Sequence, residues 1–581
     1  MKILLVAVNA KYIHSNPALY SLRAYAGTYA EQVELLELTI NHYPDDILQE
    51  IFRRKPDVVA FSCYIWNLSM IERILGDLPK ILPQTQIWMG GPEVSYDAPE
   101  FLEKHPQVCG VMVGEGEETF KELAAYYVDG VGSLADIAGL VRRADDRRIY
   151  VNAPRSPLDM NQIPFLYQDM KPFAHRIVYY ESSRGCPFSC SYCLSSIDKR
   201  VRFRDPKLVV KELQYLMDQG VPQVKFVDRT FNCSHTHALT IWRYLKEHDN
   251  GTTNFHFEIA ADLLNEEELS LLNSLRPGLV QLEIGVQSTN PETIREIDRV
   301  MDFEQLTSVV RRVQQGHNIH QHLDLIVGLP KENYESFCRS FDDVYRLHPD
   351  QLQLGFLKVL KGSKMHRKAE EYELCYHTEP VYEVFCTRWI SYEEVLRLKA
   401  VEEMVEVYYN SGQFMNAVIC LEKEFSTPFA MFAYLADYYE AHDLNGKNHS
   451  RQARFEILLD AISQVAKERE LYRELLTLDV YLREKSKSRP AWARNDAVDE
   501  QSMKETILRF YKKEEQERRF LPGYESYSAK QMMHMTHLER FSYDVLGDKS
   551  RGEHCLLFDY RRRDPLNGNA AVTELSYQDM E

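Results

Sequence analysis

Short apolar segments alternate with amphipathic ones along the start of the chain. Up to residue 132, strand-like runs lie at Ile3 to Val8, Val33 to Leu38, Val58 to Ser62, Ile87 to Met89 and Val108 to Val113. Helical patterns lie between them, such as Ala18 to Ala30 and Leu68 to Lys80. Strands that are apolar on both faces and alternate with helices predict a Rossmann-like, doubly wound parallel sheet over residues 1–132, with ligands bound beyond the carboxyl ends of its strands.

A second series of this kind begins near residue 174. Its strand-like runs are Ile177 to Glu181, Gln223 to Val227, Asn254 to Ile259, Leu279 to Val286, His322 to Val327 and Gln351 to Lys358. Each of the first five is followed by a helical pattern. These units predict a partial, open (β/α)6 barrel over residues 174–365, with its active residues on loops at the carboxyl ends of the strands.

The remaining segments follow neither pattern. Residues 133–173 contain repeated prolines, which predicts an interdomain linker with a small hairpin at Leu140 to Asn152. Residues 366–581 form long helical stretches rich in Tyr, Phe and Glu, which predicts a mostly α-helical C-terminal extension. Its polar tail, Arg561 to Val572, reads as an irregular surface loop or lid. The predicted class is therefore α/β with a helical extension.

Composition narrows the class of protein. The 581 residues exceed what one core supports, and the net charge of -18 repels polyanions, so composition gives no case for nucleic acid or an anionic membrane. No apolar run approaches the roughly 20 residues that cross a bilayer. The eleven cysteines are scattered apart from one triad, which favours a reducing, cytoplasmic compartment over a disulfide scaffold.

That triad is the most informative motif. In the sequence RGCPFSCSYC, Cys186, Cys190 and Cys193 stand at the spacing C-x3-C-x2-C. Thiolates are soft ligands for iron and zinc, and a structural zinc ion would need a fourth ligand. A four-iron cluster held by three cysteines instead leaves one iron open to a substrate. No fourth ligand lies nearby in sequence, so a cluster is favoured over the alternatives of a zinc knuckle or a redox thiol pair.

With Tyr192 just before its last cysteine, this motif resembles that of the radical S-adenosylmethionine (SAM) superfamily. The resemblance implies that SAM binds the open iron and is cleaved to a 5'-deoxyadenosyl radical. It also implies a set of SAM contacts: Tyr192 for the adenine, Asp228 for the ammonium, and Glu283, Gln287 and Ser288 for the carboxylate and ribose. The structural alternative is a turn or helix-start role for Asp228 and packed strand ends for the others.

The sheet domain adds a second resemblance. Its stretches FSC (Phe61 to Cys63), GGPE (Gly90 to Glu93) and GEGEETF (Gly114 to Phe120), directly before the barrel, are similar to the cobalamin-binding subclass of that superfamily, over about the first 365 residues. The resemblance implies that loops bearing the following residues wrap the corrinoid: Asn9, His14, Ser62, Gly90, Gly91 and Glu115. No G-x-G-x-x-G fingerprint is present, which disfavours nicotinamide and flavin.

His14 is the candidate cobalt ligand, although the usual motif is incomplete. Cobalt-ligating domains carry D-x-H-x-x-G after the first strand, and here Tyr12 and Pro17 replace the aspartate and the glycine. Two alternatives therefore stay open: His14 is a loop histidine without a role in metal binding, or the whole domain holds no cofactor.

The resemblance implies a cobalamin-dependent enzyme that methylates an unactivated centre of an unidentified small-molecule or peptide substrate. Such chemistry needs an external one-electron reductant of the flavodoxin or ferredoxin type. The alternatives are a cyclase or rearrangement enzyme without methyl transfer, and a non-catalytic corrinoid or iron-sulfur protein. Methylthiotransfer to tRNA would need a nucleic-acid-binding tail domain, and the acidic balance offers none.

Overall fold

A computed structural model describes residues 1–486, 489–493, 500–576 and 579. Contacts divide the chain into two units, Met1–Phe337 with Gly355–Val395, and Cys338–Leu354 with Leu396–Glu581. The first unit contains the first series of strands and most of the second, and we describe each unit by itself.

A seven-stranded sheet forms the start of the first unit. Its strands are β1 (Ile3–Asn9), β2 (Val33–Thr39), β3 (Val58–Ser62), β4 (Gln86–Gly90), β5 (Gly110–Met112), β6 (Leu140–Arg143) and β7 (Ile149–Val151), and its helices are α1 (Pro17–Tyr25), α2 (Pro44–Arg54), α3 (Leu68–Ile81), α4 (Pro92–Ser95), α5 (Ala98–Lys104) and α6 (Glu117–Asp129). The order β2-β1-β3-β4-β5 is parallel, and every residue of β1 is buried. The predicted doubly wound sheet is confirmed.

The proline-rich segment after this sheet is partly ordered into it. The hairpin predicted at Leu140 to Asn152 is present as β6 and β7, and β6 pairs antiparallel with β5. The sheet therefore extends beyond residue 132, into the segment predicted as a linker.

The second series forms a six-stranded sheet. Its strands are β8 (Val178–Tyr180), β11 (Gln223–Phe226), β12 (Asn254–Ile259), β13 (Val280–Gln287), β14 (His320–Val327) and β15 (Gln351–Phe356). A separate short pair of strands, β9 (Ser183–Arg184) and β10 (Arg202–Phe203), flanks the cysteine loop. The helices of this region are α7 (Pro206–Asp218), α8 (His235–Glu247), α9 (Glu266–Asn273), α10 (Pro291–Glu296), α11 (Phe303–Gln315) and α12 (Tyr334–Tyr345). The order is β15-β14-β13-β12-β11-β8, and the pairs from β8 to β14 are parallel. This is the sheet of the predicted open barrel.

The rest of the described chain is mainly helical. The elements are α13 (Lys364–Arg367), β16 (Cys375–Tyr376), β17 (Val384–Cys386), α14 (Tyr392–Val405), α15 (Met415–Leu421), α16 (Pro428–Ala441), α17 (Arg451–Val465), α18 (Arg469–Arg483), α19 (Glu500–Glu517), α20 (Ala529–Met535), β18 (Thr536–Tyr543), β19 (Arg551–Arg563) and β20 (Ala570–Leu575). The division between the units falls inside α12, β15 and α14. None of the helices in the described ranges combines the length and the hydropathy needed to span a bilayer.

One prediction for the C-terminal region was wrong. Much of the stretch Arg561 to Val572, predicted as an irregular loop or lid, belongs to a three-stranded antiparallel sheet, β18-β19-β20. The buried run Cys555–Asp559 anchors β19, while its arginine-rich end is exposed. Because this end of β19 is polar and exposed, the sequence pattern there did not predict a strand.

Candidate active site

The carboxyl ends of the first sheet and of the barrel strands line one cavity of about 930 Å³ in the first unit. This volume lies at the upper end of the range for small-molecule sites. All the residues predicted to contact cobalamin line it: Asn9, His14, Ser62, Gly90, Gly91 and Glu115. The barrel contributes Tyr179, Glu181, Arg184 and Arg229 among others. Of the predicted SAM residues, none is on this lining.

The loop after β1 is held by side-chain hydrogen bonds. Asn9 Nδ2 donates to Glu37 Oε1 at 3.0 Å, and the backbone N–H of Asn16 donates to the same oxygen at 2.7 Å. Asn16 Nδ2 donates to Ser62 Oγ at 3.2 Å. Asn9 and Ser62 therefore shape this wall of the cavity in addition to lining it.

His14 lies on that loop and contacts the barrel. Its Nδ1 lies 2.6 Å from the hydroxyl of Tyr179, on β8. Burial, followed by the charges of Lys11 and Lys225, lowers the pKa of His14, which favours the neutral imidazole that can bind a metal. A tyrosine hydroxyl from another part of the chain thus contacts this imidazole, where the usual motif would supply an aspartate, and the binding of cobalt by His14 stays a prediction.

Gly91, in the GGPE stretch, is needed for the conformation and close packing of the backbone. Gly91 has a φ of +110°, and a Cβ there would lie 2.4 Å from the carbonyl oxygen of Cys63. A side chain at Gly91 is therefore excluded by the neighbouring strand end, before any ligand is considered.

Glu115 takes part in an ion-pair network between the first sheet and the cysteine hairpin. Its carboxylate accepts hydrogen bonds from the backbone of Leu158 at 2.8 Å and from Arg202, and it lies 3.6 Å from Arg184. Arg184 Nη2 also pairs with Glu117 at 2.6 Å. Burial opposes ionisation of Glu117, but Arg184 outweighs it and lowers the pKa. Neither arginine was predicted from the sequence as a site residue, although Arg184 is the first residue of the cysteine motif.

The cysteine loop lies between β9 and β10. Cys186 and Cys190 are buried, Cys193 is half-buried, and all three are free thiols. Gly185 has a φ of +94°, and a Cβ there would lie 2.3 Å from the carbonyl oxygen of Arg200. The hydroxyl of Ser196 donates to the carbonyl oxygens of Cys190 and Cys193, at 3.0 and 2.6 Å. Glycine and serine thus fix the path of the loop.

The spacing of the sulfurs disfavours a single zinc ion. Within the described residues, the one group of three ligand atoms lying within 4.8 Å of one another does not include these cysteines. Zinc with Zn–S bonds of about 2.3 Å would bring its sulfurs to about 3.8 Å from one another. A larger cluster places them further apart, so the donor set fits a multi-iron cluster better.

Two polar side chains lie against the sulfurs. Thr230 Oγ1 is 3.7 Å from Cys186 Sγ, and Arg299 Nη1 is 3.7 Å from Cys190 Sγ. The same Nη1 donates to the hydroxyl of Tyr192, the predicted adenine neighbour, at 3.4 Å. The sequence analysis missed Arg299, because it follows α10 and belongs to no motif.

Asp228 is fully buried, and its carboxylate accepts hydrogen bonds from two serines that follow β8. It accepts hydrogen bonds from Ser182 N at 2.9 Å, Ser182 Oγ at 2.6 Å and Ser183 Oγ at 2.5 Å. Burial raises its pKa against the effect of these donors. It thus ties two strand ends together, and its contact with the SAM ammonium stays a prediction.

The predicted contacts on β13 lie at different depths. Glu283 faces the barrel interior, 2.9 Å from both Lys225 Nζ and His256 Nε2. Burial opposes ionisation, but the close contact with the imidazole of His256 and the charge of Lys225 lower its pKa to about 2. Gln287 sits at an irregularity with φ +73°, and Ser288 Oγ donates to Glu332 Oε1 at 2.7 Å. Their contacts with SAM also stay predictions.

Family profiles match most of the chain. The B12 binding domain matches residues 3–124, the Radical SAM superfamily matches residues 180–344, and a protein of unknown function, DUF4080, matches residues 370–558.

Two curated relatives align with more than half of the chain. The cobalamin-dependent radical SAM methyltransferase TokK of Streptomyces tokunonensis is 26% identical over 384 residues, covering 60% of this chain and 54% of TokK. The anaerobic magnesium-protoporphyrin IX monomethyl ester cyclase of Rubrivivax gelatinosus is 23% identical over 341 residues, covering 56% of this chain and 60% of the cyclase. The matched region thus spans little more than half of either relative.

Among solved structures, the cobalamin-dependent SAM radical enzyme OxsB, with aqua-cobalamin and SAM bound, is similar in fold. The TM-score is 0.57 at 14% identity, over 82% of this chain and 78% of OxsB. The chain thus carries a region that matches the Radical SAM superfamily, at residues 180–344, after a region that matches the B12 binding domain, at residues 3–124. The resemblance identified from the cysteine motif and the strand-end loops is confirmed.

Proposed function

We propose that this chain is a cobalamin-dependent radical SAM methyltransferase that acts on an unactivated centre of a small-molecule or peptide substrate. The observation that carries the proposal is the single cavity lined both by the strand-end loops of the B12-binding domain and by the mouth of the radical SAM barrel. Gly185 and Leu194, on either side of the cysteine triad, belong to this lining, so cofactors held next to its two sides could act on one substrate.

The chain offers a donor set for each cofactor. Cys186, Cys190 and Cys193 would hold a [4Fe-4S] cluster, with SAM beside them, and His14 faces the cavity that would hold cobalamin. When bound, the cluster and SAM supply a carbon-centred radical and cobalamin supplies a methyl group. An external one-electron donor of the flavodoxin or ferredoxin type would reduce the cluster.

The protein's own part is positioning and exclusion of water. Arg184 joins the cysteine hairpin to Glu117 of the B12-binding domain, and Tyr179 joins the barrel to His14. These contacts fix the walls that carry the two cofactor sites. Apolar residues such as Leu19, Phe61 and Met160 complete the lining and keep it poor in water.

A second candidate is a cyclase or rearrangement activity with the same cofactors. The Rubrivivax gelatinosus cyclase aligns over a similar share of this chain as TokK does. The two candidates differ in whether the product gains a methyl group.

The test uses the full chain, reconstituted anaerobically with iron, sulfide and cobalamin. We expect about four irons and one corrinoid per chain, and SAM cleavage to 5'-deoxyadenosine. With methyl-labelled SAM and a metabolite extract as substrate source, a product heavier by one methyl group supports the methyltransferase. An unlabelled product favours the cyclase.

Cys190→Ala should lose the cluster and SAM cleavage while retaining corrinoid, because Cys190 is absent from the cavity lining. Cys109→Ala is the matched control, since Cys109 is a half-buried cysteine at the edge of β5, away from the loop. Retention of SAM cleavage in Cys190→Ala would refute the proposed cluster site.

A further inference from the structure

The interior of the barrel carries a polar cluster outside the cavity described above. His256 on β12, Glu283 on β13, and His322 and Asp324 on β14 come together there. The side chains of His256 and His322 are only 9% and 8% exposed. Barrel interiors are normally filled by branched apolar side chains, so ionisable groups at this depth require a partner.

Several atoms of this cluster have no hydrogen-bond partner. His256 Nε2, His322 Nε2 and Asp324 Oδ1 are buried without one. His322 Nε2 nevertheless lies 3.0 Å from Asp324 Oδ1, and His256 Nε2 lies 2.9 Å from Glu283 Oε2. The atoms approach closely without aligned hydrogen-bond geometry. Buried polar groups left in this way indicate an ion or a water molecule between them.

The distances suit ligands of one metal ion. One ligand atom each from Glu283, His322 and Asp324 lies within 4.8 Å of the others. Two neighbouring ligands at right angles, with bonds of about 2.1 Å, lie about 3.0 Å apart. The separation of 3.0 Å between His322 Nε2 and Asp324 Oδ1 has this value.

We propose that Glu283, His322 and Asp324 bind a divalent transition-metal ion inside the barrel. Imidazole combined with carboxylate suits manganese, iron or zinc better than magnesium or calcium, which prefer oxygen alone. This site is separate from the cysteine triad and does not depend on the proposed methyl transfer. It assigns Glu283 to the metal rather than to SAM.

Lys225 is the group that competes with the ion. Its ammonium lies 2.9 Å from Glu283 Oε2. A carboxylate offers about four lone-pair positions on two oxygens, so Glu283 can pair with Lys225 on one oxygen and bind a metal with the other. The positive charge of Lys225 then offsets part of the negative charge of the site and weakens, without preventing, cation binding.

The experiment titrates the full-length chain, stripped with a chelator, with Mn²⁺. Free Mn²⁺ is counted by its room-temperature electron paramagnetic resonance signal, and Mn²⁺ has little affinity for thiolates, so the cysteine triad does not interfere. We expect one bound Mn²⁺ per chain. Asp324→Asn and His322→Ala should weaken binding at least about 10-fold.

His42→Ala is the control, because His42 is an exposed histidine after β2, far in sequence from the cluster; it should bind as the wild type does. Asp324→Asn is close in shape to the native residue, and circular dichroism checks its folding. The inference is overturned if the wild type binds no stoichiometric Mn²⁺, or if Asp324→Asn and His322→Ala bind like the wild type. Deoxyadenosine formation, measured on the same samples, separately reports on the proposed methyltransferase.

Discussion

Arg299 places a partly buried guanidinium against the cysteine loop, with Nη1 3.7 Å from Cys190 Sγ. Hydrogen bonds and positive charge next to cluster sulfurs stabilise the reduced state. Arg299→Gln should therefore lower the cluster's reduction potential. One charge-assisted hydrogen bond is worth about 1.5 kcal/mol, which for one electron is on the order of 60 mV. A redox titration followed by electron paramagnetic resonance measures the shift.

The control for Arg299→Gln is Lys364→Gln. Lys364 pairs with Asp298, the chain neighbour of Arg299, at 2.6 Å. Its replacement by glutamine removes the same single positive charge without removing a contact to Cys190. The cluster's reduction potential in Lys364→Gln should stay near that of the wild type. Equal shifts in the two variants would contradict a direct effect of Arg299 on Cys190.

Single residues were predictable where a motif marks them. The cysteine spacing indicated a cluster loop, and the structure places that loop at the end of the first barrel strand. The partners of Asp228 were not predictable, because Ser182 and Ser183 meet it only once β8 and β11 pair. Arg299 was missed for the same reason, since its contact with Cys190 spans 109 positions of the chain.

At the scale of elements, the hairpin of β9 and β10 is joined to the B12-binding domain by Arg184. This arginine pairs with Glu117 and Glu181, at 2.6 and 2.9 Å. Arg184→Met should destabilise the chain by about 3 kcal/mol, because it leaves the buried carboxylate of Glu117 without its cation. Urea unfolding of the apo chain measures the change.

The matched variant Arg148→Met removes an exposed arginine whose side chain is 80% accessible. Its effect should stay within about 0.5 kcal/mol. If Arg184→Met were as mild, the network would contribute no net stability to the hairpin.

Helix α8 contributes a pH-sensitive contact to the same region. His237 Nε2 lies 2.9 Å from Ser182 Oγ, and burial lowers the pKa of His237 to about 4 from its usual 6.5. Between these two pH values the unfolded chain binds a proton at His237 that the folded chain does not bind. The free energy of unfolding therefore falls by about 3 kcal/mol as the pH drops from about 6.5 to about 4. His237→Gln should reduce this slope. Urea midpoints at several pH values test this, and equal slopes would contradict it.

The element boundaries followed closely from hydrophobic periodicity where both faces of a strand are buried. Val58 to Ser62 and Asn254 to Ile259 match the observed strands residue for residue. The C-terminal strands were missed because β19 ends in exposed arginines and β20 alternates weakly, so tertiary pairing decides their structure. The polar barrel cluster was missed because its members lie on three different strands, β12, β13 and β14, and sequence alone does not set the register between strands.

At the scale of the whole molecule, the chain carries a net charge of -18. Long-range charge acts on the encounter with an electron donor, since it repels anionic donors and attracts cationic ones. Raising the ionic strength from about 0.01 to about 0.1 M shortens the screening length from about 30 to about 10 Å and weakens both effects.

The reconstituted chain should therefore respond in opposite directions to two reductants. Cluster reduction by the cationic radical of methyl viologen should slow with added salt, because an attraction is screened, and reduction by dithionite should become faster, because a repulsion is screened. Stopped-flow absorbance at several potassium chloride concentrations measures both rates. The reverse pattern, faster reduction by methyl viologen and slower reduction by dithionite, would mean that a local positive surface, rather than the net charge, guides electron delivery. The proposed reductant would then have to be acidic and dock at that surface, and an ionic-strength series with a flavodoxin would show the same slowing.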